Sequence, residues 1–130
     1  SEKNPYWIEK HRYYELKHFC LQYPIWKKAY LALDGLAKRP SDLVLFSGQR
    51  DLSDPTAKCA EARIFYSNRM ELVESVAEET DVVLGTYILQ AVTSGISYDC
   101  LKARLDIPCC KDVYYDLYRR FFWLLNKERG

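Results

Sequence analysis

Glycine and proline are scarce in this sequence, with five of each among 130 residues. A β-sandwich places turn signals about every 8–12 residues, so this scarcity argues against such a fold. Long apolar runs are also lacking, since none approaches the roughly 18 residues that a membrane span needs. No charged n-region followed by an apolar h-region opens the chain. We therefore expect a soluble, intracellular domain with no membrane partner.

Motifs of catalysis and metal binding are lacking as well. The chain has no glycine-rich phosphate loop, no G-x-S-x-G and no H-E-x-x-H. Its two histidines, His11 and His18, lie two turns apart on one predicted helix, whereas a metal site needs three or four ligands at matched spacing. These absences predict a protein that is not an enzyme and that uses no metal or other cofactor.

The five cysteines are an odd number in a chain large enough to fold without disulfides. This number favours a reducing compartment, and hence the cytoplasm. Cys109 and Cys110 are adjacent at the start of a predicted helix, where a thiol pKa can be lowered. A redox role is therefore an alternative to buried or partner-facing thiols.

Charge is unevenly distributed, although the formal net charge is only +1. Residues 1–53 hold nine Lys and Arg against six Asp and Glu, residues 54–96 three against seven, and residues 97–130 seven against five. A polyanion would therefore bind near either end of the chain and not at its acidic middle.

Helical periodicity is the main positive signal in the first part of the chain. Apolar and aromatic residues recur at helical spacing over residues 6–23 and 25–33, and Pro24 separates the two helices of a predicted hairpin. Residues 36–53 are a predicted connector. Its apolar run Leu43–Phe46 is either a strand or, as we favour, a buried coil.

The second part of the chain begins with a strong helix signal. Asp54 and Pro55 suit the N-cap and first turn of a long helix over residues 56–80. Asp81 caps a further helix that Gly95 ends. The fold class that we expect is all-α, with a helical hairpin and connector over residues 1–53 and a second domain over 54–130.

The last 35 or so residues have the layout of a helix-turn-helix. Ser97 caps a short helix from Tyr98 to Leu105, which buries Leu101 and Leu105. Asp106-Ile107-Pro108 forms a tight turn with an apolar centre. A longer helix over residues 109–126 follows, and it is free to enter a major groove.

The predicted final helix has two different faces when successive residues are placed about 100° apart. The core stripe comprises Val113, Leu117, Phe121 and Leu124. The opposite face comprises Lys111, Tyr115, Arg119, Phe122 and Asn126. Lys, Arg, Asn and Tyr can hydrogen-bond base edges or phosphates, and Lys102 and Arg104 on the short helix would lie near the DNA backbone. A simply solvated face is the alternative.

The segment SYDCLKARLDIPCCKDVYYDLYRRFFWLL resembles the C-terminal half of phage-encoded regulators of the RinA/ArpU type, and the similarity extends upstream to SDPTAKCAEARIFYSNRMELVESV. The resemblance implies a DNA-binding module similar to region 4 of sigma-70 factors, whose second helix contacts DNA. Ile107 precedes Val113 by one residue more than the usual pattern has, and Pro108 stands where a capping Ser is usual. The resemblance therefore implies that the second helix contacts DNA, but it does not identify which of its residues contact the bases.

Two functions follow from this reading. The first is a phage or prophage transcriptional regulator, in the cytoplasm of a bacterial host, that binds double-stranded DNA through the final helix. The alternative is a protein-interaction module in which the aromatic Phe122 and Trp123 dock on another protein. The candidates for that protein are RNA polymerase, a host defence protein that the phage inhibits, or a second copy of the chain in a homodimer.

Overall fold

The computed structural model describes residues 3–37 and 55–130, and within these residues every regular element is a helix. The helices are α1 (Lys10–Leu21), α2 (Tyr23–Ala37), α3 (Pro55–Thr80), α4 (Gly85–Ser94), α5 (Tyr98–Leu105) and α6 (Lys111–Arg129). The expected all-α fold class is confirmed. The predicted connector, the boundary between residues 53 and 54, and the Asp54 cap lie outside the described residues.

The helix ends follow local capping chemistry. Asp81 accepts hydrogen bonds at Oδ1 from the backbone amides of Val83 and Leu84, at 2.9 and 2.7 Å, and this turn leads into α4. Gly95 ends α4 in the left-handed conformation with φ 70°, which costs glycine little. The Ser97 side chain accepts from the amide of Cys100 at 3.2 Å and starts α5. The predicted end at Gly95 and the predicted cap at Ser97 are confirmed. The prediction that Asp81 caps α4 was wrong, because α4 begins at Gly85 with Leu84 as its N-cap and Asp81 instead caps the turn before it.

The first helix starts later than the periodicity predicts. Residues 3–9 form a turn-rich arm in which the Asn4 side chain accepts from the Tyr6 amide at 2.8 Å. Glu9 is the N-cap of α1, and its carboxylate accepts from the amide of Arg12 at 3.0 Å. These side chains accept hydrogen bonds from the amides of Tyr6 and Arg12. Such local side-chain hydrogen bonds compete with helix formation, so the arm is not helical although its aromatic spacing predicted a helix.

The chain divides into two compact units, of which one comprises Ile25–Met70. In this unit Trp26 is buried. The guanidinium of Arg63 donates to the Tyr30 hydroxyl at 3.3 Å, and the Cys59 thiol lies 3.5 Å from the carbonyl oxygen of Leu33. These contacts join α2 to α3 within the unit.

The other unit comprises Ser1–Pro24 and Glu71–Gly130 and contains the segment that was predicted to be a helix-turn-helix. In it α1 packs against α4 and α6, and α4 packs against α5 and α6. The start of α4 lies so close to α3 that a Cβ at Gly85 would come 2.6 Å from the Ala77 carbonyl oxygen. The fully buried side chains of its core come from several helices and the turn after α5: Leu16, Cys20, Val73, Ile88, Leu101, Ile107, Phe121 and Leu125.

Candidate nucleic-acid interface

The turn between α5 and α6 is held by one buried residue and one left-handed residue. Asp106 adopts φ 49° and ψ 52° at the end of α5, a conformation that Asp tolerates better than most residues. The Ile107 side chain is fully buried, and the Tyr98 hydroxyl donates to the Cys109 carbonyl oxygen at 2.7 Å. The two helices are therefore fixed to each other through the turn and not only through their own faces.

The first half of α6 carries exposed polar side chains. Lys111, Tyr115 and Arg119 are all exposed, and neither Lys111 nor Arg119 forms an ion pair with any described residue. Arg104 on α5 is likewise exposed. These four predicted contact residues are accessible to a ligand. Asp112 and Asp116 are exposed on the same half of α6 and reduce its net positive charge.

Two other predicted DNA contacts are used within the protein. The Nε of Arg12 on α1 donates to Asn126 Oδ1 at 2.7 Å. Lys102 Nζ donates to the Ile107 carbonyl oxygen at 3.2 Å and pairs with Asp106 Oδ1 at the same distance. The geometry gives Asn126 a structural role between α1 and α6, and it gives Lys102 a role in closing the turn.

The buried face of α6 is turned by roughly 60° from the predicted one. Val113, expected in the core, is 46% exposed, whereas Phe122, expected on the exposed face, is only 2% exposed. Leu105 on α5, which was also expected to be buried, is 42% exposed. The prediction was wrong because Phe122 packs among aromatic rings, with its centroid 5.1 Å from Tyr13 and 5.0 Å from Tyr118. Phe122 is therefore a core residue and not a docking residue.

Trp123, the second predicted docking residue, is half-buried. Its ring centroid lies 5.5 Å from that of Tyr6 in the N-terminal arm. The Lys127 ammonium lies 3.4 Å from the Trp123 centroid on its own helix, which is a cation–π contact. Trp123 thus anchors the arm to α6.

Between this arm and α6 lies a cavity of about 580 Å³, which we call the aromatic cleft. Its lining combines residues of the arm, α1 and α6: Asn4, Tyr6, Trp7, Ile8, Glu9, Lys10, Tyr13, Tyr115, Tyr118, Arg119 and Phe122. The hydroxyls of Tyr13 and Tyr118 lie 3.3 Å apart in it. Sequence reasoning missed this site because residues more than a hundred positions apart form it. Tyr115 and Arg119, which line the cleft, were predicted as DNA contacts, but no pattern in the sequence joined them to the N-terminal arm.

All five cysteines are free thiols, and they range from the buried Cys20 to the exposed Cys110. Burial raises the pKa of the Cys109 thiol, which is opposite to the lowering that a helix N-terminus was expected to produce. Burial likewise raises the pKa of Cys20 to about 12. No group of three or more His, Cys, Asp or Glu side chains suited to a metal ion occurs among the described residues.

Comparison of the chain with protein families, with curated proteins and with solved structures finds no match. None of the helices in residues 3–37 and 55–130 combines the length and the apolar character that a membrane span requires.

Proposed function

We propose that this protein is a DNA-binding transcriptional regulator of phage or prophage origin, of the RinA/ArpU type, which acts through α5 and α6. The observation that carries the proposal is the α5–turn–α6 geometry. Ile107 closes the turn from inside, and Lys111, Tyr115 and Arg119 are left exposed on the following helix. This combination suits a second helix that enters the major groove.

The contacts follow from the exposed side chains. With the first half of α6 in the groove, Lys111 and Arg119 reach phosphates or guanine edges and the Tyr115 hydroxyl hydrogen-bonds beside them. Arg104, at the end of α5, contacts the backbone. Asn126 takes no part, because its side-chain oxygen is occupied by Arg12.

The charge of this surface sets the expected salt dependence. Three exposed cations, Arg104, Lys111 and Arg119, act without an ion-pair partner among the described residues. Neutralising three phosphates gives a slope of about −3 for log K against log salt concentration. Because Asp112 and Asp116 lie beside the cations, we expect binding of moderate strength and a slope no steeper than this.

The test is a fluorescence anisotropy titration of the chain against a labelled mixed-sequence duplex of two helical turns. The double variant Lys111→Ala, Arg119→Ala should bind at least tenfold more weakly at low salt, and its salt slope should be shallower by about two. Lys27 and Lys28 are exposed on α2, so the double variant Lys27→Ala, Lys28→Ala removes the same charge and serves as the matched control.

Two results would remove this proposal. One is the absence of duplex binding by the intact chain at low salt. The other is an equal loss of affinity in the α6 variant and in the α2 control, because binding would then follow net charge alone.

The protein-interaction alternative has its own support in the turn before α4. Val82 and Val83 are 86% and 71% exposed there, which is unusual for adjacent aliphatic side chains and suits a contact with RNA polymerase or a host protein. Under the regulator proposal, the variant Val82→Ser, Val83→Ser keeps full affinity for duplex DNA. A partner pulled down from a bacterial lysate by the intact chain and lost with this variant would favour the alternative.

A further inference from the structure

The aromatic cleft has the dimensions and lining of a small-molecule site. Its volume of about 580 Å³ falls within the roughly 300–1,000 Å³ of typical ligand pockets. Trp7 and Tyr115, two of its lining residues, are 43% and 38% exposed, so their rings are available to a ligand. Phe122 also lines the cleft, and the rings of Tyr13 and Tyr118 pack edge to face against it. Such a lining suits a flat ring that stacks on exposed aromatic faces.

The charges at the cleft favour an anion over a cation. Glu9 is the one acidic residue of the lining, and its carboxylate already accepts the amide hydrogen bond from Arg12 that caps α1. Lys10 and Arg119 also line the cleft, both are exposed, and neither has an ion-pair partner among the described residues.

We propose that the aromatic cleft binds a free mononucleotide, whose base stacks on Trp7 and Tyr115 and whose phosphate meets Arg119. A planar ring and a nearby anionic group are the two features that the lining selects, and a mononucleotide carries both. The guanidinium of Arg119 offers paired donors that match phosphate oxygens.

A free nucleotide fits better than a nucleic-acid strand. Proteins that bind single strands line a groove with positive charge along the backbone. Here Lys10 and Arg119 are the basic residues of the lining, and Glu9 lies beside Lys10 in the chain. The basic residues of the cleft therefore suffice to bind one phosphate and do not form a line that could bind several phosphates of a strand.

If the proposed function holds, two residues are shared between the bound nucleotide and DNA. Tyr115 and Arg119 belong both to the cleft and to the exposed half of α6 that is proposed to meet DNA. The Arg119 guanidinium cannot bind the phosphate of the nucleotide and a phosphate or base of DNA equally well at the same time. Nucleotide and duplex DNA therefore compete. The nucleotide would then act as an effector that releases the regulator from DNA.

Isothermal titration calorimetry with three probes tests the site. Adenosine monophosphate carries ring and phosphate, adenosine only the ring, and inorganic phosphate only the anion. We expect adenosine monophosphate to bind at least tenfold more tightly than adenosine, and inorganic phosphate to bind weakest. Arg119→Ala should abolish the preference for the monophosphate over adenosine, and Arg119→Lys should restore part of it.

Variants of the aromatic residues separate stacking from charge. Tyr115→Ala should weaken adenosine and adenosine monophosphate by a similar factor of about five or more, because a stacking face is lost. Phe65→Ala removes a ring that is 46% exposed in the other unit, outside the cleft, and should change neither. Circular dichroism confirms that each variant is folded.

Three outcomes overturn the proposal: no binding of adenosine monophosphate, no effect of Arg119→Ala on the preference for it, or tighter binding of a single-stranded oligonucleotide than of the mononucleotide. Anisotropy of a labelled duplex in the presence of adenosine monophosphate tests the competition separately. Nucleotide binding without DNA binding removes the regulator and leaves the site, whereas DNA binding without nucleotide binding removes the site alone.

Discussion

Individual side chains on α6 differ in whether the rest of the protein already uses their polar groups. Lys111 and Arg119 are exposed, while Asn126 accepts a hydrogen bond from Arg12 across 114 positions of sequence. A helical wheel places all three residues on one side of the helix and cannot separate them. The contact with α1 distinguishes Asn126 from the other two residues, because its side-chain oxygen already accepts a hydrogen bond inside the protein.

This difference predicts opposite behaviour for two alanine variants. Asn126→Ala leaves the Arg12 Nε without its acceptor and should lower the free energy of unfolding by about 1–2 kcal/mol, without changing affinity for duplex DNA. Lys111→Ala should change stability by less than about 0.5 kcal/mol and weaken DNA binding. Urea unfolding and anisotropy measure the two quantities. If Asn126→Ala weakens DNA binding at unchanged stability, its assigned structural role is wrong.

At the scale of the elements, local chemistry decided where most helices begin and end. Gly95 and Ser97 act at the helix ends that their residue types predict, because a cap depends on neighbours within a few positions. Asp81 instead caps the turn that precedes α4. The start of α1 was mispredicted, because aromatic residues at helical spacing occur in the arm that Asn4 and Glu9 organise differently. The spacing was real, but it serves packing against α6.

The turn after α5 should be sensitive to the residue at 106. Asp106 has φ 49°, and a left-handed conformation costs an ordinary L-residue roughly 1–2 kcal/mol. Asp106→Ala should therefore lower the thermal midpoint more than Asp106→Asn, since Asn tolerates this conformation and both variants lose the ion pair with Lys102. Thermal unfolding followed by circular dichroism gives the comparison. Equal midpoints for the two variants would show that the backbone conformation at this residue carries no cost.

At the scale of the whole chain, tyrosines that are buried or half-buried make the stability of the unit that contains α6 depend on pH in the alkaline range. Burial raises the pKa of Tyr114 and of Tyr23 to about 12 from the ordinary 10.0, and Tyr23 also hydrogen-bonds to Glu74. Burial, with the hydroxyl of Tyr13 beside it, raises the pKa of Tyr118 as well. The folded protein therefore holds these protons more tightly than the unfolded chain does.

The sign of the effect follows from proton linkage. Below about pH 10 the tyrosines are protonated in both states, so their contribution is complete, and it is lost as the pH rises from there towards the raised values. We expect unfolding in that alkaline range by circular dichroism, together with the absorbance of tyrosinate. Tyr118→Phe should move the transition to higher pH, and Tyr115→Phe, at an exposed ring, should leave it in place. An unchanged pH midpoint of alkaline unfolding in the Tyr118→Phe variant would contradict this prediction.

The sequence by itself determined the all-α fold class and several helix ends, since periodicity and capping act over a few residues. Only the tertiary structure decided which side of α6 is buried and that an aromatic cleft exists. Tyr13 and Phe122 touch across more than a hundred positions, as do Tyr6 and Trp123. No local pattern encodes such pairs, because which aromatic ring is buried depends on what the rest of the chain brings against it.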